Sequence, residues 1–407
     1  MNYKYIEGGV TAPSGFLASG IHCGLKKSVL KKDLALIYSE VPAVACGMFT
    51  NNKVKGAPII ISKEHLSNKK AQAIIINSGN ANTCNGEDGL NKAKKMTVVQ
   101  AKALNIKTDS VLVASTGVIG VPLNIDAIKD GIPLLTEKLS KDGYSDASSA
   151  IMTTDTVKKE LSVQFNLGDK LVTLGVMAKG SGMIEPNMGT MLSFITTDIA
   201  ISPSLLDEAL RSCVSVTYNR VSVDGDTSTN DSVFILANGL ANNELITEKN
   251  SYYNAFLEAL IALNTKIART IAKDGEGASK LLECKIKGAD SEKNAVILGK
   301  SVINSPLVKT AMYGADANWG RILCALGYAN VAFDPQKVDV SFESSKGSLN
   351  VCKNGGSIEF DEDKAKLVLG EDEIIININL NCGKFDATIW GCDLTYDYVK
   401  INGDYRS

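Results

Sequence analysis

The chain has 407 residues, of which 44% are hydrophobic and 22% are charged, and its formal net charge is -2 at pH 7. This balance is typical of a soluble globular protein with one large or two medium cores, and it argues against nucleic acid as a partner. No apolar run is long enough to span a bilayer and the N-terminus lacks a signal-peptide stretch, so we expect a cytoplasmic protein without a membrane partner.

Two residue types that often carry chemistry are scarce or lack a pattern. The only histidines, His22 and His65, are too few for a multi-histidine metal site. The nine cysteines form an odd set without a C-x-x-C pair, so we expect buried free thiols and no metal site or disulfide framework. A short lysine patch is interpreted as a solvated face, and its members are Lys26, Lys27, Lys31 and Lys32.

Short apolar runs that end in small polar residues predict buried strands in the first half of the chain. Residues 73–76 lead into Asn77-Ser78-Gly79-Asn80, and residues 111–113 lead into Ala114-Ser115-Thr116-Gly117. A third strand is predicted at residues 171–177, and a helix is predicted at residues 87–104. Loops at the ends of such strands are where we expect the chemistry to lie.

The second half begins with two predicted helices. Ser202 is expected to cap a helix over residues 203–215 with its hydroxyl, because Pro203 suits the first turn. Apolar residues at spacings of three and four predict one buried face of a long helix, and they are Tyr253, Phe256, Leu260, Leu263, Ile267 and Ile271. Beyond about Leu282, alternating residues such as Ile376, Asn377 and Ile378 predict a sheet with one wet face, and hence a second, smaller α/β unit.

The segment from Lys179 to Thr190 carries the main functional hypothesis. A threonine hydroxyl in mid-chain lacks a base, but cutting the Gly189–Thr190 bond would free an α-amine that can serve as one. Gly189 leaves its carbonyl open to attack and tolerates a strained backbone. We therefore interpret the segment as a self-cleavage site. The alternative is that the glycines form ordinary turns and that Thr190 is a β-branched strand residue.

Four other residues are candidates for catalysis or binding. Thr116 and Gly117 follow a strand, so a hydroxyl and an unhindered amide could stabilise an oxyanion, although a plain turn explains the same residues. Lys179 is expected to place a cation beside Thr190, where it would hold a carboxylate or help to lower the pKa of the α-amine, although a lone lysine in a loop is usually solvated. Glu276 lies between two glycines and is expected to be exposed for contact with a ligand amine, although a helix C-cap would account for those glycines.

Several nucleotide and metal motifs are excluded. Residues 223–231 place oxygen side chains at alternate positions, but Thr229 and Ile235 occupy the glycine and carboxylate positions of an EF-hand. A network of side-chain to backbone hydrogen bonds is the better interpretation. The segment 180–182 lacks the third glycine of a dinucleotide loop, and residues 277–280 are out of order for a Walker A loop, so no cofactor is predicted.

Taken together, these segments closely resemble the ornithine acetyltransferase family of arginine biosynthesis. The resemblance spans nearly the whole chain, with the blocks in the family's order. The blocks are residues 9–13, 77–82, 115–117, 179–192, 219–220, 223–231, 274–280, 305–310, 318–321 and 401–407.

The resemblance implies an acetyltransferase that moves the acetyl group from N-acetylornithine to glutamate, and acetyl-CoA is an additional donor in some members. It implies cleavage into an α chain of residues 1–189 and a β chain of residues 190–407, assembled as an α2β2 heterotetramer. The implied fold is a layered α-β-β-α sandwich of the N-terminal-nucleophile type. With the change of pattern near Leu282, we expect a catalytic domain at 1–282, a smaller α/β domain at 283–400, and a tail at 401–407 that returns to the active site.

Site residues follow from the resemblance position by position. Thr190 would be the nucleophile that becomes acetylated, and Thr116 and Gly117 would form the oxyanion hole. The residues that would line the amino-acid pocket, besides Thr190 itself, are Thr153, Lys179, Glu276, Asn402 and Ser407.

Three residues depart from the family's usual pattern. Gly189 replaces an alanine, Ser279 stands where threonine is common, and Ser407 ends a chain that often closes with threonine. Each keeps small size or a hydroxyl, so we expect activity, with a cleavage rate altered by the freer Gly189. Two alternatives stay open: an N-terminal-nucleophile aminopeptidase or amidohydrolase, which would hand its acyl group to water, and a non-enzymatic binding protein.

Overall fold

The computed structural model describes residues 3–185 and 191–404. Three residues with predicted roles in cleavage, catalysis or binding lie outside the described residues, and they are Gly189, Thr190 and Ser407. The chain divides into two compact units. The first comprises Met1–Gly180, Pro186–Asn219 and Thr227–Ile267, and the second comprises Ser181–Glu185, Arg220–Asp226 and Ala268–Ser407. None of the described helices is long and apolar enough to cross a membrane.

The first unit combines one large sheet with helices. Its strands are β1 (Tyr3–Ile6), β2 (Phe16–Ile21), β3 (Leu34–Phe49), β4 (Lys70–Asn77), β5 (Val111–Ser115), β6 (Lys159–Leu167), β7 (Lys170–Lys179), β8 (Leu192–Thr197) and β9 (Ser232–Ala237). Its helices are α1 (Ala57–His65), α2 (Gly86–Leu104), α3 (Ile125–Glu137), α4 (Tyr144–Ile151), α5 (Pro203–Val216) and α6 (Ser251–Lys273), the last of which continues into the second unit.

The long strand β3 divides this sheet into two layers. The described strands pair in the order β1-β6-β7-β8-β9-β3-β4-β5, and β2 also pairs with β3. The first half of β3 pairs with β2 and β4, whereas its second half, from Val44 onward, pairs with β9. The pairing with β4 shifts register between Tyr38 and Ala43, and such an irregularity bends a strand. β3 therefore passes from one layer to the other.

Apolar residues fill the space between the two layers and cover their outer faces. One buried cluster joins alternate residues of both layers, including Ile74 of β4, Leu112 of β5 and Phe194 of β8. A second cluster joins the other face of β4 and β5 to α1, α2 and α3. On the opposite side, the buried Tyr218 hydroxyl contacts Ser193 of β8 at 3.0 Å and donates to Asn264 of α6 at 2.5 Å. The predicted α-β-β-α sandwich is confirmed.

Most predicted elements of this unit are confirmed, with one correction. The strands at 73–76, 111–113 and 171–177 and the helices at 87–104 and 203–215 are all present within a few residues of their expected bounds. The apolar face predicted for α6 is buried from Tyr253 to Ile271. Ser202 is the N-cap residue of α5, but the predicted cap by its hydroxyl is wrong: the hydroxyl contacts the Ser204 hydroxyl at 3.3 Å and makes no hydrogen bond to a backbone N–H of the first turn.

The second unit is a smaller α/β structure. Its strands are β10 (Leu281–Ala289), β11 (Asp339–Ser344), β12 (Gly347–Lys353), β13 (Gly356–Ser357), β14 (Glu373–Asn379) and β15 (Phe385–Cys392). Its helices are α7 (Glu292–Asn304), α8 (Pro306–Tyr313), α9 (Trp319–Gly327), α10 (Glu362–Leu369) and α11 (Tyr396–Gly403).

The described strands of this unit form one sheet in the order β13-β12-β11-β14-β10-β15. Along β14, Ile374, Ile376 and Ile378 are buried while Asn377 and Asn379 are partly exposed, as the alternation predicted. The division of the chain between residues 282 and 283 stays a prediction. The unit also takes in the short segments 181–185 and 220–226, which no sequence pattern indicates.

All nine cysteines are free thiols, as predicted. The expectation that they are buried is wrong for three of them, since Cys84, Cys324 and Cys382 are exposed. A cysteine needs no partner at the surface, so composition alone does not predict its burial.

Candidate active site

Lys179 and Asp155 form the centre of a buried cluster in the first unit. Asp155 accepts hydrogen bonds from Lys159 Nζ at 2.8 Å and from Gly180 N–H at 2.7 Å. Burial works to raise the pKa of the Asp155 carboxyl. The charges of Lys179 and Lys159, with the hydrogen bonds from Lys159 and Gly180, outweigh burial and hold this pKa well below its usual range. Asp155 is therefore ionised and balances two buried lysines.

This cluster brings together three of the predicted site residues. Lys179 Nζ donates to the Thr116 hydroxyl at 3.4 Å, and both side chains are buried. Thr153 N–H donates to the other oxygen of Asp155 at 3.0 Å. Asp155 thus connects Thr153, whose backbone it holds, to Lys179, whose charge it balances.

Gly117 is a position that only glycine can occupy. Its φ is 130°, and an added Cβ would lie 2.4 Å from the Gly79 carbonyl carbon and 2.5 Å from Asn80 N. The turn after β5 therefore packs directly on the turn after β4. This contact fixes the backbone of Gly117, the residue that follows Thr116. The role of the two residues as an oxyanion hole stays a prediction.

Lys26 does not lie on a solvated face, so that interpretation is wrong for this residue. Its Nζ donates to the carbonyls of Lys32 at 2.8 Å and Met152 at 2.7 Å. Burial lowers the pKa of Lys26 to about 8, against the opposing influence of Asp33 and Asp155. Because Met152 precedes Thr153, Lys26 helps to hold this side of the cluster.

Strand register relates the cluster to the predicted nucleophile. Lys179, the last residue of β7, pairs with Leu192, the first residue of β8, and Leu192 pairs with Ser232 of β9. Thr190 lies two residues before Leu192 in the sequence. Lys179 and Thr116 are therefore at the end of the sheet where β8 begins.

Asp231 is a further buried carboxyl at this end of the sheet. It accepts hydrogen bonds from the Met191 N–H and the Ser228 hydroxyl. Burial raises the pKa of Asp231 well above its usual range, although the Ser228 hydrogen bond, the charge of Lys179 and the Met191 N–H act in the opposite direction. Asp231 is therefore held neutral far above the pH at which an exposed aspartate ionises.

Glu276 and Asn402 are brought together within the second unit. Asn402 Nδ2, on α11, donates to Glu276 Oε2 at 2.8 Å. Glu276 is only 8% exposed, so the expectation of an exposed side chain is wrong. Its carboxylate packs against Gly182, where an added Cβ would lie 2.2 Å from Glu276 Cδ. The neighbouring glycine makes room for this carboxylate.

A second carboxylate holds the chain that leads toward the predicted cleavage site. Asp224 accepts from Met183 N–H at 2.7 Å and from Ile184 N–H at 2.8 Å. Farther along the same stretch, Asn230 Nδ2 donates to the carbonyl of Ser115 at 2.9 Å. The predicted network of side-chain to backbone hydrogen bonds in residues 223–231 is confirmed.

Three acidic residues of these sites were not identified from the sequence. Asp155, Asp224 and Asp231 each hold backbone N–H groups next to a predicted site residue or to the predicted cleavage segment. The sequence did contain a signal for Asp231. A carboxyl that immediately precedes the apolar run of β9 has either to be buried with the strand or to point away from the core. Asp155 lies in a polar stretch of the sequence that gave no such signal. Its interactions with Lys159 and Lys179 become apparent only in the folded structure.

Comparison with known proteins identifies the family. The ArgJ family matches residues 17–407. The arginine biosynthesis bifunctional protein ArgJ 1 of Clostridium acetobutylicum is 54% identical over 392 residues, which cover 96% of this chain and 96% of that protein.

Two solved structures also match. The arginine biosynthesis bifunctional protein argJ of Bacillus halodurans is 43% identical with a TM-score of 0.50, and the match covers 53% of this chain and 99% of that chain. Ornithine acetyltransferase of Mycobacterium tuberculosis, solved in complex with ornithine, is 36% identical with a TM-score of 0.43, covering 46% of this chain and 100% of that chain. The resemblance stated from the motifs is confirmed, and the chain belongs to the ArgJ family.

Proposed function

We propose that the chain cuts itself between Gly189 and Thr190 and then carries the acetyl group of N-acetylornithine on Thr190 until glutamate takes it. Membership of the ArgJ family makes the protein an enzyme of arginine biosynthesis, a glutamate N-acetyltransferase that also acts as an amino-acid N-acetyltransferase. The proposal adds the nucleophile, the cleavage and the order of steps.

The observation that carries the proposal is the buried contact between Lys179 and Thr116. A cation, a hydroxyl and the Gly117 backbone meet where β7 ends and β8 begins. Two residues span at most about 7 Å, so covalent connectivity keeps Thr190 close to the start of β8. Donors that are already in place when negative charge develops are the largest single contribution to many acyl transfers.

The same nucleophile would act in both reactions. In self-cleavage, Thr190 Oγ attacks the Gly189 carbonyl, the C–N bond breaks, the nitrogen takes the hydroxyl proton, and water hydrolyses the resulting ester. In transfer, Oγ attacks the acetyl carbonyl of N-acetylornithine and the α-amine takes its proton. When the amide C–N bond breaks, this proton passes to the departing ornithine amine.

Glutamate then completes the cycle. Its amine attacks acetyl-Thr190, the α-amine takes the proton, and Thr190 Oγ receives it as the acetyl group leaves. In both half-reactions the Thr116 hydroxyl and the Gly117 N–H would stabilise the oxyanion. We propose that Lys179, near Thr153, binds the substrate carboxylate. From the family resemblance, we propose that the amino-acid substrates are also bound by Glu276, Asn402 and Ser407.

The length of a solved relative supports the cut. Residues 190–407 make up 218 of the 407 residues, about 54%. The Bacillus halodurans chain, 99% of which is matched, covers 53% of this chain. A chain of that length is what cleavage before Thr190 would leave. We further propose an α2β2 assembly in the cytoplasm, and no resident cofactor because Thr190 itself carries the acyl group.

The test is incubation of purified protein with N-acetylornithine, with and without glutamate. We expect ornithine release to depend on glutamate and to be matched by N-acetylglutamate, and we expect Thr190→Ala to remain uncut and inactive. Release of ornithine and acetate at full rate without glutamate would instead favour the amidohydrolase alternative. A parallel incubation of the protein with acetyl-CoA and glutamate tests whether acetyl-CoA is a second acetyl donor.

A further inference from the structure

Both backbone polar groups of Met191 are held at the start of β8. Its carbonyl accepts from Ser232 N–H at 3.1 Å, and its N–H donates to the Asp231 carboxyl. The Met191 N–H belongs to the peptide bond that follows Thr190. Any group that fixes this N–H therefore limits how the residue carrying the proposed nucleophile can rotate.

The Asp231 side chain is an unusual way to hold a strand. It is 2% exposed, and its Oδ2 atom has no hydrogen-bond partner among the residues that the structure describes. A buried polar atom of this kind costs free energy, so a residue that carries it needs a compensating role. A second carboxyl, Asp198, follows the other end of β8 and accepts from Thr173 N–H at 2.8 Å and Ser14 N–H at 3.1 Å.

We infer that Asp231 is a positioning residue for Thr190, holding the Met191 N–H so that the nucleophile meets the Gly189 carbonyl during self-cleavage and the acetyl donor afterwards. This inference rests on the proposed function. Asp231 acts through Met191 as a hydrogen-bond acceptor, and a misplacement of about 1 Å at a reacting centre can cost about 100-fold in rate.

Neutrality of the carboxyl fits this role. A negative charge on the buried group that binds the Met191 N–H would oppose any oxyanion that forms during attack by the neighbouring residue. Lys179 is the charged group that acts on Asp231, and burial outweighs it. Asparagine keeps a carbonyl oxygen of the same shape and cannot ionise, so Asp231→Asn separates the acceptor from the acid.

The experiment follows self-cleavage by intact mass after cell-free synthesis of the full chain. We compare the unchanged protein with Asp231→Ala and Asp231→Asn, and with the matched controls Asp198→Ala and Asp198→Asn. We expect Asp231→Ala to cut about 10- to 100-fold more slowly, Asp231→Asn to stay within about 3-fold of the unchanged chain, and both Asp198 variants to cut at the original rate.

A second readout tests whether the Asp231 carboxyl is neutral in the folded protein. Because the folded-state pKa of Asp231 is raised, its contribution to stability is lost as pH rises through that pKa. The Tm of Asp231→Asn should therefore gain on that of the unchanged protein as pH rises above about 4, where an exposed aspartate is ionised. If Asp231→Ala does not fold, Asp231→Asn still decides, because cleavage by this variant more than about 10-fold slower than in the unchanged chain would overturn the inference.

The outcomes distinguish the two proposals. An unchanged protein that is never cut overturns the proposed function and this inference with it. An unchanged protein that is cut, with Asp231→Ala equally fast, overturns the inference alone. Asp231→Asn as slow as Asp231→Ala also overturns it, because the acceptor would then not be the feature that matters.

Discussion

Replacing Lys179 with methionine tests whether its contact with Thr116 serves catalysis. Methionine keeps a long unbranched side chain in the buried site and removes the charge. The change deletes the 3.4 Å contact to the Thr116 hydroxyl and one of the two lysines whose charges lower the pKa of Asp155. A hydrogen bond that involves a charged group is worth about 1.5–3 kcal/mol.

That free energy corresponds to a loss of roughly 10- to 160-fold in kcat/KM if it is expressed in the transition state. The assay is formation of N-acetylglutamate from N-acetylornithine and glutamate, with enzyme that has already been cut. Scaling the rate to the cut fraction, determined by intact mass, removes any effect of the substitution on cleavage. Thermal unfolding should show a loss of about 1–3 kcal/mol, since Asp155 keeps Lys159 and the Gly180 N–H.

Lys159→Met is the matched control. Lys159 Nζ lies 2.8 Å from the same carboxylate, and both side chains are fully buried. Removing one partner of a buried ion pair costs about 3–5 kcal/mol, so this variant should lose the more stability of the two. Its kcat/KM should stay within about 3-fold at temperatures where it is folded. Equal losses of kcat/KM in both variants would refute the reasoning, because activity would then follow the ion pair and not the contact with Thr116.

Three further changes have definite expected outcomes. Gly117→Ala places a Cβ 2.4 Å from the Gly79 carbonyl carbon at a φ of 130°, so it should lower Tm and abolish acetyl transfer, and a wild-type Tm would contradict the packing described for this turn. Gly182→Ala places a Cβ 2.2 Å from Glu276 Cδ and should displace that carboxylate, raising the KM for amino-acid substrates, which steady-state kinetics would reveal. Asp155→Asn removes a carboxyl whose folded-state pKa is lowered, so its stabilisation is present above about pH 4 and is lost as pH falls through the folded pKa. The Tm difference from the unchanged protein should therefore shrink on acidification, and a difference that grows would contradict the ionised state of Asp155.

Periodic patterns predicted the elements well because burial repeats along them. The spacing from Tyr253 to Ile271 marked the buried face of α6, and the alternation of Ile376 and Asn377 marked the two faces of β14. The hydroxyl cap of Ser202 failed because sequence shows which side chain can cap a helix but not which neighbour it contacts.

Contacts between distant segments could not be predicted in this way. Lys26 and Glu276 are charged residues that sequence reasoning placed in solvent, yet Lys26 reaches the Met152 carbonyl and Glu276 packs on Gly182. Both burials depend on a partner far along the chain. The site residues carried over from the family resemblance stay a prediction of where the chemistry lies, while the contacts of Asp155, Asp224 and Asp231 emerged only from the folded structure.

Self-cleavage and the acetyl-threonine intermediate can both be detected in the intact mass of the purified protein. We expect two species that meet between Gly189 and Thr190, and we expect N-acetylornithine without an acceptor to add one acetyl group to the fragment that begins at Thr190. The Thr190→Ala protein should remain a single chain that takes up no acetyl group. A single unbroken chain of 407 residues that transfers acetyl at full rate would contradict the account.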